Sequence, residues 1–260
     1  MNGKEPLLEV INLTKRFGGV TAANNVSFKI YPSEIVALIG PNGAGKTTLF
    51  NMITSIIPND EGEIKFKGEK IIGRKTNYIA RKGITRTFQN LQIFNEMTVV
   101  ENVMVGYHSK TTSGFLACGF NLPLARKDNQ IAFKKAMETL ELVGLKERVN
   151  DLAVNLPYGL QRLVEIARAI VMDPVLVLLD EPMAGLNHQE SEELCRVILR
   201  LREQGFSFLF IEHDMEMVMS IADRIIVLEN GNKIAEGTAS EIQRNPKVIA
   251  AYLGEVLEYA

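Results

Sequence analysis

The chain has 260 residues, 46% of them hydrophobic and 23% charged, ordinary proportions for one large globular domain or two intimate subdomains. Its 29 basic and 31 acidic side chains nearly cancel, which leaves no polybasic footprint for nucleic acid, and Cys118 and Cys195 form no staple pattern and fit a reducing compartment. No apolar run approaches the ~20 residues that cross a bilayer and the opening "MNGKEPLLEV" lacks an apolar signal core, so the expectation is a soluble cytoplasmic protein that meets a membrane only through a partner.

In chain order, "LLEVINL" and "NVSFKI" alternate like strands with one solvated face. "EIVALIG" is a near-continuous apolar run, as a central parallel strand is, and a helix is expected over 45–55. Asp60, Glu61 and Glu63 form a small acidic cluster, most simply a solvated turn. From about Leu91 to Asn155 the strand signal vanishes. "MTVVENVMVGY" and "NQIAFKKAMETLELVGL" read as helices, separated by the long breaker-rich loop "HSKTTSGFLACGFNLPLARK". "LPYGLQR" then precedes an amphipathic helix over 158–172, with Leu160, Leu163, Val164, Ala167 and Val171 on one face and Arg162, Glu165 and Arg168 on another. The apolar runs "VLVLLDE", "SFLFIEH" and "DRIIVLENG" alternate with helices at 188–203 and 214–221, and the tail "NPKVIAAYLGE" becomes a short helix. This rhythm predicts an α/β fold with a βαβ core and a mostly parallel sheet, and the motif "GPNGAGKTT" at the end of "EIVALI" makes that a P-loop core. An antiparallel flank comes from the N-terminal strands. Residues 1–90 and 166–260 form the core and 91–165 an inserted helical subdomain.

"GPNGAGKTT" joins the strand "EIVALI" to a helix and matches G-x-x-x-x-G-K-[ST] in the strand–loop–helix setting that motif requires. Its residues Gly40, Pro41, Asn42, Gly43, Ala44, Gly45, Lys46, Thr47 and Thr48 make a phosphate cradle. The glycines let backbone N–H groups turn inward around phosphate oxygens, and the helix start adds its positive dipole. Lys46 supplies charge to the β- and γ-phosphates, and Thr47 offers a hydroxyl to Mg²⁺. "VLVLLDEP" ends in Asp180 and Glu181. Beside a phosphate cradle, the first acid suits Mg²⁺ and the second can polarise an attacking water. Alone, such a pair is an ordinary strand end.

The set "GPNGAGKTT", "TFQN", "LPYGLQRLVEIARAI", "VLVLLDEPMAGLN" and "FLFIEHD", in that order, resembles the nucleotide-binding subunit of an ATP-binding cassette (ABC) transporter over essentially the whole chain. "RTFQNLQIFNEMTVVENV", the long loop after it and the tail "NPKVIAAYLG" are most similar to the cassette subunits of branched-chain amino-acid importers. The resemblance implies further roles. Phe17 in "KRFGG" matches the aromatic that stacks on adenine, where the plain alternative is a core phenylalanine. Gln89 matches the glutamine that reaches Mg²⁺ and the attacking water and begins the segment facing the membrane subunit. His213 matches the histidine at the γ-phosphate, where a structural hydrogen-bonding role is equally natural. His108 and His188 match no family role and are assigned to the surface. Residues 91–99 are expected to dock the membrane subunit, against the alternative that they are core. "LPYGLQR" takes the place of the signature that faces a second subunit's γ-phosphate, but Pro157 replaces its serine, Tyr158 a glycine and Leu160 its glutamine. Asn187 stands where an aspartate is common.

These implications amount to an ATP- and Mg²⁺-dependent ATPase at the inner face of the cell membrane. Its partners are membrane-spanning permease subunits and a second cassette, as a heterodimer, with a solute-binding protein involved indirectly and no nucleic acid. Glu181, His213, Gln89 and Lys46 carry the catalysis, and Thr47, Gln89 and Asp180 face Mg²⁺. Two rivals are a soluble ABC-type ATPase acting on ribosomes or DNA, which usually has two cassettes or basic patches, and a P-loop small-molecule kinase, which needs no signature helix. Cassette subunits do not touch the transported molecule, so urea and short amides stay open beside branched-chain amino acids.

Overall fold

A computed structural model of the chain describes residues 5–111 and 123–258. Two sheets share the work. Strands β1 (Leu8–Phe17), β2 (Val20–Ile30), β4 (Glu61–Phe66) and β5 (Glu69–Lys70) form an antiparallel sheet in the order β2-β1-β4-β5. Strands β3 (Ile35–Ile39), β6 (Ile84–Arg86), β7 (Leu176–Asp180), β8 (Ser207–Ile211), β9 (Arg224–Glu229) and β10 (Asn232–Gly237) form the second, in the order β10-β9-β3-β8-β7-β6. Its strands run parallel except β10, which returns antiparallel against β9. The expected α/β class and antiparallel flank are both present.

The continuous apolar runs have a direct cause. On β3, Ile35, Ala37 and Ile39 enter one core while Val36 and Leu38 enter another. Phe208 and Phe210 of β8 join the first core, and Leu209 and Ile211 the second. Successive side chains of a strand point to opposite faces. A strand covered on both sides must therefore be apolar at every position. The second core fills the space between the sheets, with α1 (Lys46–Ile53) contributing Leu49, Phe50 and Ile53. The first lies on the other face of the parallel sheet, under helices that include residues 99–103, 158–170 and 188–203. Each buried Val, Leu, Ile or Phe contributes about 1.5–3 kcal/mol relative to exposure.

Helix α2 (Thr76–Lys82) leads into β6, an edge strand absent from the sequence reading because three residues carry little periodicity. Helix α3 (Val99–Tyr107) begins with a Thr98–Glu101 capping box. Helix α4 spans Pro123–Leu142, so "PLARK", read above as loop, is its first turn; proline is well suited to a first helical position. Residues 112–122, the middle of that expected loop and the site of Cys118, lie outside the described residues. Helix α5 (Tyr158–Ile170) starts directly after Pro157 and runs through residue 165 without a break. It is a continuous rod between the helical insertion and the sheet. Helices α6 (His188–Glu203), α7 (Met215–Ile221), α8 (Ala239–Gln243) and α9 (Pro246–Glu258) complete the chain. Among the described residues no helix is long and apolar enough to cross a membrane.

The acidic cluster is no bare turn. Asp60 accepts from Lys15 Nζ at 2.8 Å and from the Arg16 backbone N–H at 2.6 Å, and Glu61 pairs with the Arg16 guanidinium at 2.7 Å. These bonds hold Asp60 below the usual carboxylate range, the Lys15 bond first.

Candidate functional site

The phosphate loop lies between β3 and α1, and its shape depends on its neighbours. Gly45 has φ 98°, and a Cβ there would stand 2.0 Å from the Ala22 carbonyl oxygen. Strand β2 thus backs directly onto the loop, and no other residue fits that position. Lys46 is buried and donates from Nζ to the Gly40 carbonyl at 2.5 Å and the Pro41 carbonyl at 2.9 Å. Asn42, Gly43 and Thr47 are exposed at the open end of the helix. Phe17 ends β1 and is 49% exposed; it is not a core phenylalanine. Lys15 Nζ lies 5.3 Å from its ring centroid.

Asp180 and Glu181 occur where β7 ends. Glu181 has φ 48°, a region that non-glycine residues seldom enter. Its N–H donates to the Ile211 carbonyl at 3.0 Å and its carbonyl accepts from the Ala184 N–H at 3.2 Å, which fixes the turn. Its carboxylate gathers two other predicted residues. Gln89 Nε2 donates to Glu181 Oε2 at 2.9 Å, and His213 Nε2 lies 3.0 Å from Glu181 Oε1. Strand β6 delivers Gln89 and strand β8 delivers His213, each from just beyond a C-terminal strand end, where ligands bind in open parallel sheets.

Glu212, next to His213, escaped the sequence reading. It is 4% exposed, and burial pushes its carboxyl above the usual carboxylate range. It accepts from the Met183 N–H at 2.7 Å and the His213 N–H at 3.1 Å, so it ties the turn after Glu181 to the strand that carries His213. Arg86 also escaped notice. Its Nη2 donates to Asp180 Oδ2 at 2.6 Å and its Nη1 to Asn51 Oδ1 at 2.7 Å. Arg86 ends a three-residue strand, Ile84–Arg86, too short to give a signal.

The signature helix has its own surprise. Arg162 and Glu165, on the face opposite the apolar one, are 2% and 3% exposed and pair at 3.0 Å. Opposite charges three apart on a helix can meet; what the spacing did not show is that they are buried. Arg162 also donates to the Gln89 carbonyl at 2.8 Å, so the helix after "LPYG" grips the backbone of Gln89. Burial raises the Glu165 carboxyl above its ordinary range despite Arg162 beside it. At the start of the helix, Pro157 is the N-cap residue and no side chain caps the turn. The Tyr158 ring lies against Gly185, where an added Cβ would meet Cε1 at 3.1 Å. Asn187 begins α6 with a capping box to Glu190.

Between residues 91 and 99, the loop is clipped to α3 by the buried Asn102. Its amide oxygen accepts from the Phe94 N–H at 2.8 Å, and its nitrogen donates to the carbonyls of Phe94 at 3.0 Å and Met97 at 3.2 Å. Phe94 and Met97 are 45% and 36% exposed while Ile93 packs against the core. A cleft of about 670 Å³ opens beside this loop, lined by Ile56, Arg86, Phe88, Gln92, Arg168 and Met172 among others.

Comparison with known proteins agrees with this geometry. A family profile described as "ABC transporter" matches residues 23–184. The chain belongs to that family. A second profile, "Branched-chain amino acid ATP-binding cassette transporter", matches residues 232–258 of this cassette. The cassette is 47% identical over 251 residues to the high-affinity branched-chain amino acid transport ATP-binding protein BraF of Pseudomonas aeruginosa, covering 96% of this chain and 98% of that one. It is 46% identical over 252 residues to LivG of Escherichia coli, which carries the same description, covering 96% and 99%. Among solved structures it is similar to the ADP conformation of MJ1267, an ATP-binding cassette of an ABC transporter, with TM-score 0.84, 32% identity, and 96% and 99% of the two chains covered. A nucleotide-free cassette gives TM-score 0.83 at 32% identity, covering 95% and 99%.

Proposed function

We propose that this chain is the ATP-hydrolysing subunit of an importer for branched-chain amino acids. It works at the inner face of the membrane beside permease subunits and a second, different cassette. The observation that carries the catalytic part is the convergence of Gln89 and His213 on the two carboxylate oxygens of Glu181. The substrate class rests on the BraF and LivG relatives and on the C-terminal profile.

The chemistry follows from those residues. ATP phosphates enter the loop 40–48, where Lys46 exchanges its carbonyl partners for phosphate oxygens. The adenine stacks on Phe17. Glu181 accepts a proton from water as that water attacks the γ-phosphorus, and ADP and phosphate leave. Gln89 releases Glu181 to orient the water, and His213 turns its Nε2 to the γ-phosphate. Thr47, Asp180 and Gln89 suit Mg²⁺. That ion takes one or two carboxylates plus substrate phosphates, not an all-protein cage. Bound there, Mg²⁺ would neutralise charge developing on the β- and γ-phosphate oxygens.

The partner cassette supplies the signature for this site, while "LPYGLQR" serves the partner's nucleotide. The exposed Phe94 and Met97 beside the cleft offer an apolar seat to a cytoplasmic helix of the permease. A solute-binding protein acts on the permease from the far side. The test is reconstitution in vesicles with candidate permease subunits and a second cassette. ATP-dependent uptake of labelled leucine, abolished by Glu181→Gln, supports the reading. Uptake of urea or short amides but not of leucine, isoleucine or valine rules out the substrate class.

A further inference from the structure

Arg86 and Asp180 form an ion pair with side chains only 7% and 6% exposed. Burying two charges carries a desolvation cost that a pair of apolar residues avoids, so stability alone is a poor reason for it. The geometry gives a better one. Arg86 Nη1 donates to Asn51 Oδ1 at 2.7 Å while Nη2 donates to Asp180 Oδ2 at 2.6 Å. Asn51 lies on α1, one helical turn after Thr47. One planar group therefore spans from the helix that follows the phosphate loop to the acid at the tip of β7. The guanidinium carbon is 5.4 Å from the ring centroids of both Phe50 and Phe88, which restrain it. The guanidinium engages Oδ2 of Asp180.

We propose that Arg86 is a positioning residue that sets the Mg²⁺ affinity of the nucleotide site by fixing Asp180 relative to Thr47. This rests on the ATPase reading above. The guanidinium holds one oxygen of Asp180 and so aims the other, and its second arm ties that aim to the helix bearing Thr47. The fork is what matters. A lysine keeps the charge but presents a single flexible ammonium, which does not reproduce two parallel donors at fixed separation. Arg86 also lines the cleft beside Phe88, so a partner that shifts the Phe88 ring moves the group that aims Asp180.

The experiment is a MgCl₂ titration of the purified full chain with a fluorescent ATP analogue, after first measuring binding of the analogue without Mg²⁺. The variants are Arg86→Lys and Asn51→Ala, each checked for folding by circular dichroism. Partners behind a metal ligand typically change metal affinity about 10- to 100-fold when removed. Arg86→Lys should raise the Mg²⁺ midpoint by about that factor, with Mg²⁺-free binding unchanged. Asn51→Ala leaves the ion pair in place and should shift the midpoint in the same direction by less. If Arg86→Lys keeps the wild-type midpoint, charge and not the fork sets the affinity, and the proposal falls. An unshifted Asn51→Ala overturns it as well, and decides the matter alone should Arg86→Lys not fold. A wild-type chain that binds no analogue at all would refute the nucleotide reading instead.

Discussion

The amide of Gln89 and the carboxylate of Glu181 meet at 2.9 Å across 92 residues of sequence. Because Arg162 of the helix after "LPYG" holds the Gln89 carbonyl at 2.8 Å, the residue that touches Glu181 is anchored to that helix. Rotation of that helix therefore has a direct line to Glu181.

Glu181→Gln should retain ATP binding and lose hydrolysis. Removing a positioned general base costs about 10²–10⁴-fold in rate. Phosphate release and equilibrium ATP binding, measured on one preparation, check this; wild-type turnover would exclude Glu181 as the base.

Lys46→Ala should weaken ATP binding by about 10- to 150-fold, the value of one hydrogen bond to a charged group. Its Nζ now donates to the Gly40 and Pro41 carbonyls, and the substitution removes a charge and no apolar core packing. The fold should therefore survive, and calorimetry of ATP binding beside a thermal melt separates the two effects.

Phe94→Glu or Met97→Glu should leave the chain folded, since both side chains are substantially exposed and exposed changes seldom exceed about 0.5 kcal/mol. Transport in the assembled complex should fall while ATPase activity persists. Loss of the folded state in both variants would mark these residues as core and end the docking assignment.

How much of this was legible in the sequence depended on distance along the chain. The phosphate loop is a local motif, and each doubly covered strand declares itself by continuous apolar residues. Asp180 and Glu181 were readable because a strand and its tip are adjacent. Arg86 with Asn51, and Arg162 with the Gln89 backbone, are pairings across 35 and 73 residues, and no periodicity reports them. Burial of Arg162 and Glu165 was hidden for the same reason. Their helix carries apolar residues on the face expected to be buried, while on the other face Arg162 bonds the carbonyls of Phe88 and Gln89, a contact remote in sequence. The first turn of α4 was misread because proline signals both loops and helix starts.

Pro157→Ser should raise the rate of phosphate release by the isolated chain. Pro157 lacks both a hydroxyl and a backbone N–H, and the start of α5 carries no side-chain cap. A serine would add a cap worth about 1 kcal/mol. It would also supply a hydrogen bond to the opposing γ-phosphate, equivalent to about 10- to 150-fold in rate if confined to the transition state. Steady-state assays at high protein concentration decide the point. A wild-type homodimer that already turns over quickly, with no gain from serine, would sink the unequal pairing.

The doubly buried β3 leaves one problem that polarity does not solve. A slip of one residue would exchange its two faces, and both are apolar, so no side chain would be driven into water by the error. The strand is instead measured from its ends. At one end the Ile35 N–H donates to Asp223 Oδ2 at 2.9 Å. At the other, Gly40 passes so close under Leu228 that a Cβ would lie 2.1 Å from its carbonyl oxygen; a slip in either direction would put Ile39 or Pro41 there. The first glycine of the phosphate loop is thus also a ruler mark for the sheet. Natural variation at that position would be filtered by assembly of the sheet before nucleotide ever tested it.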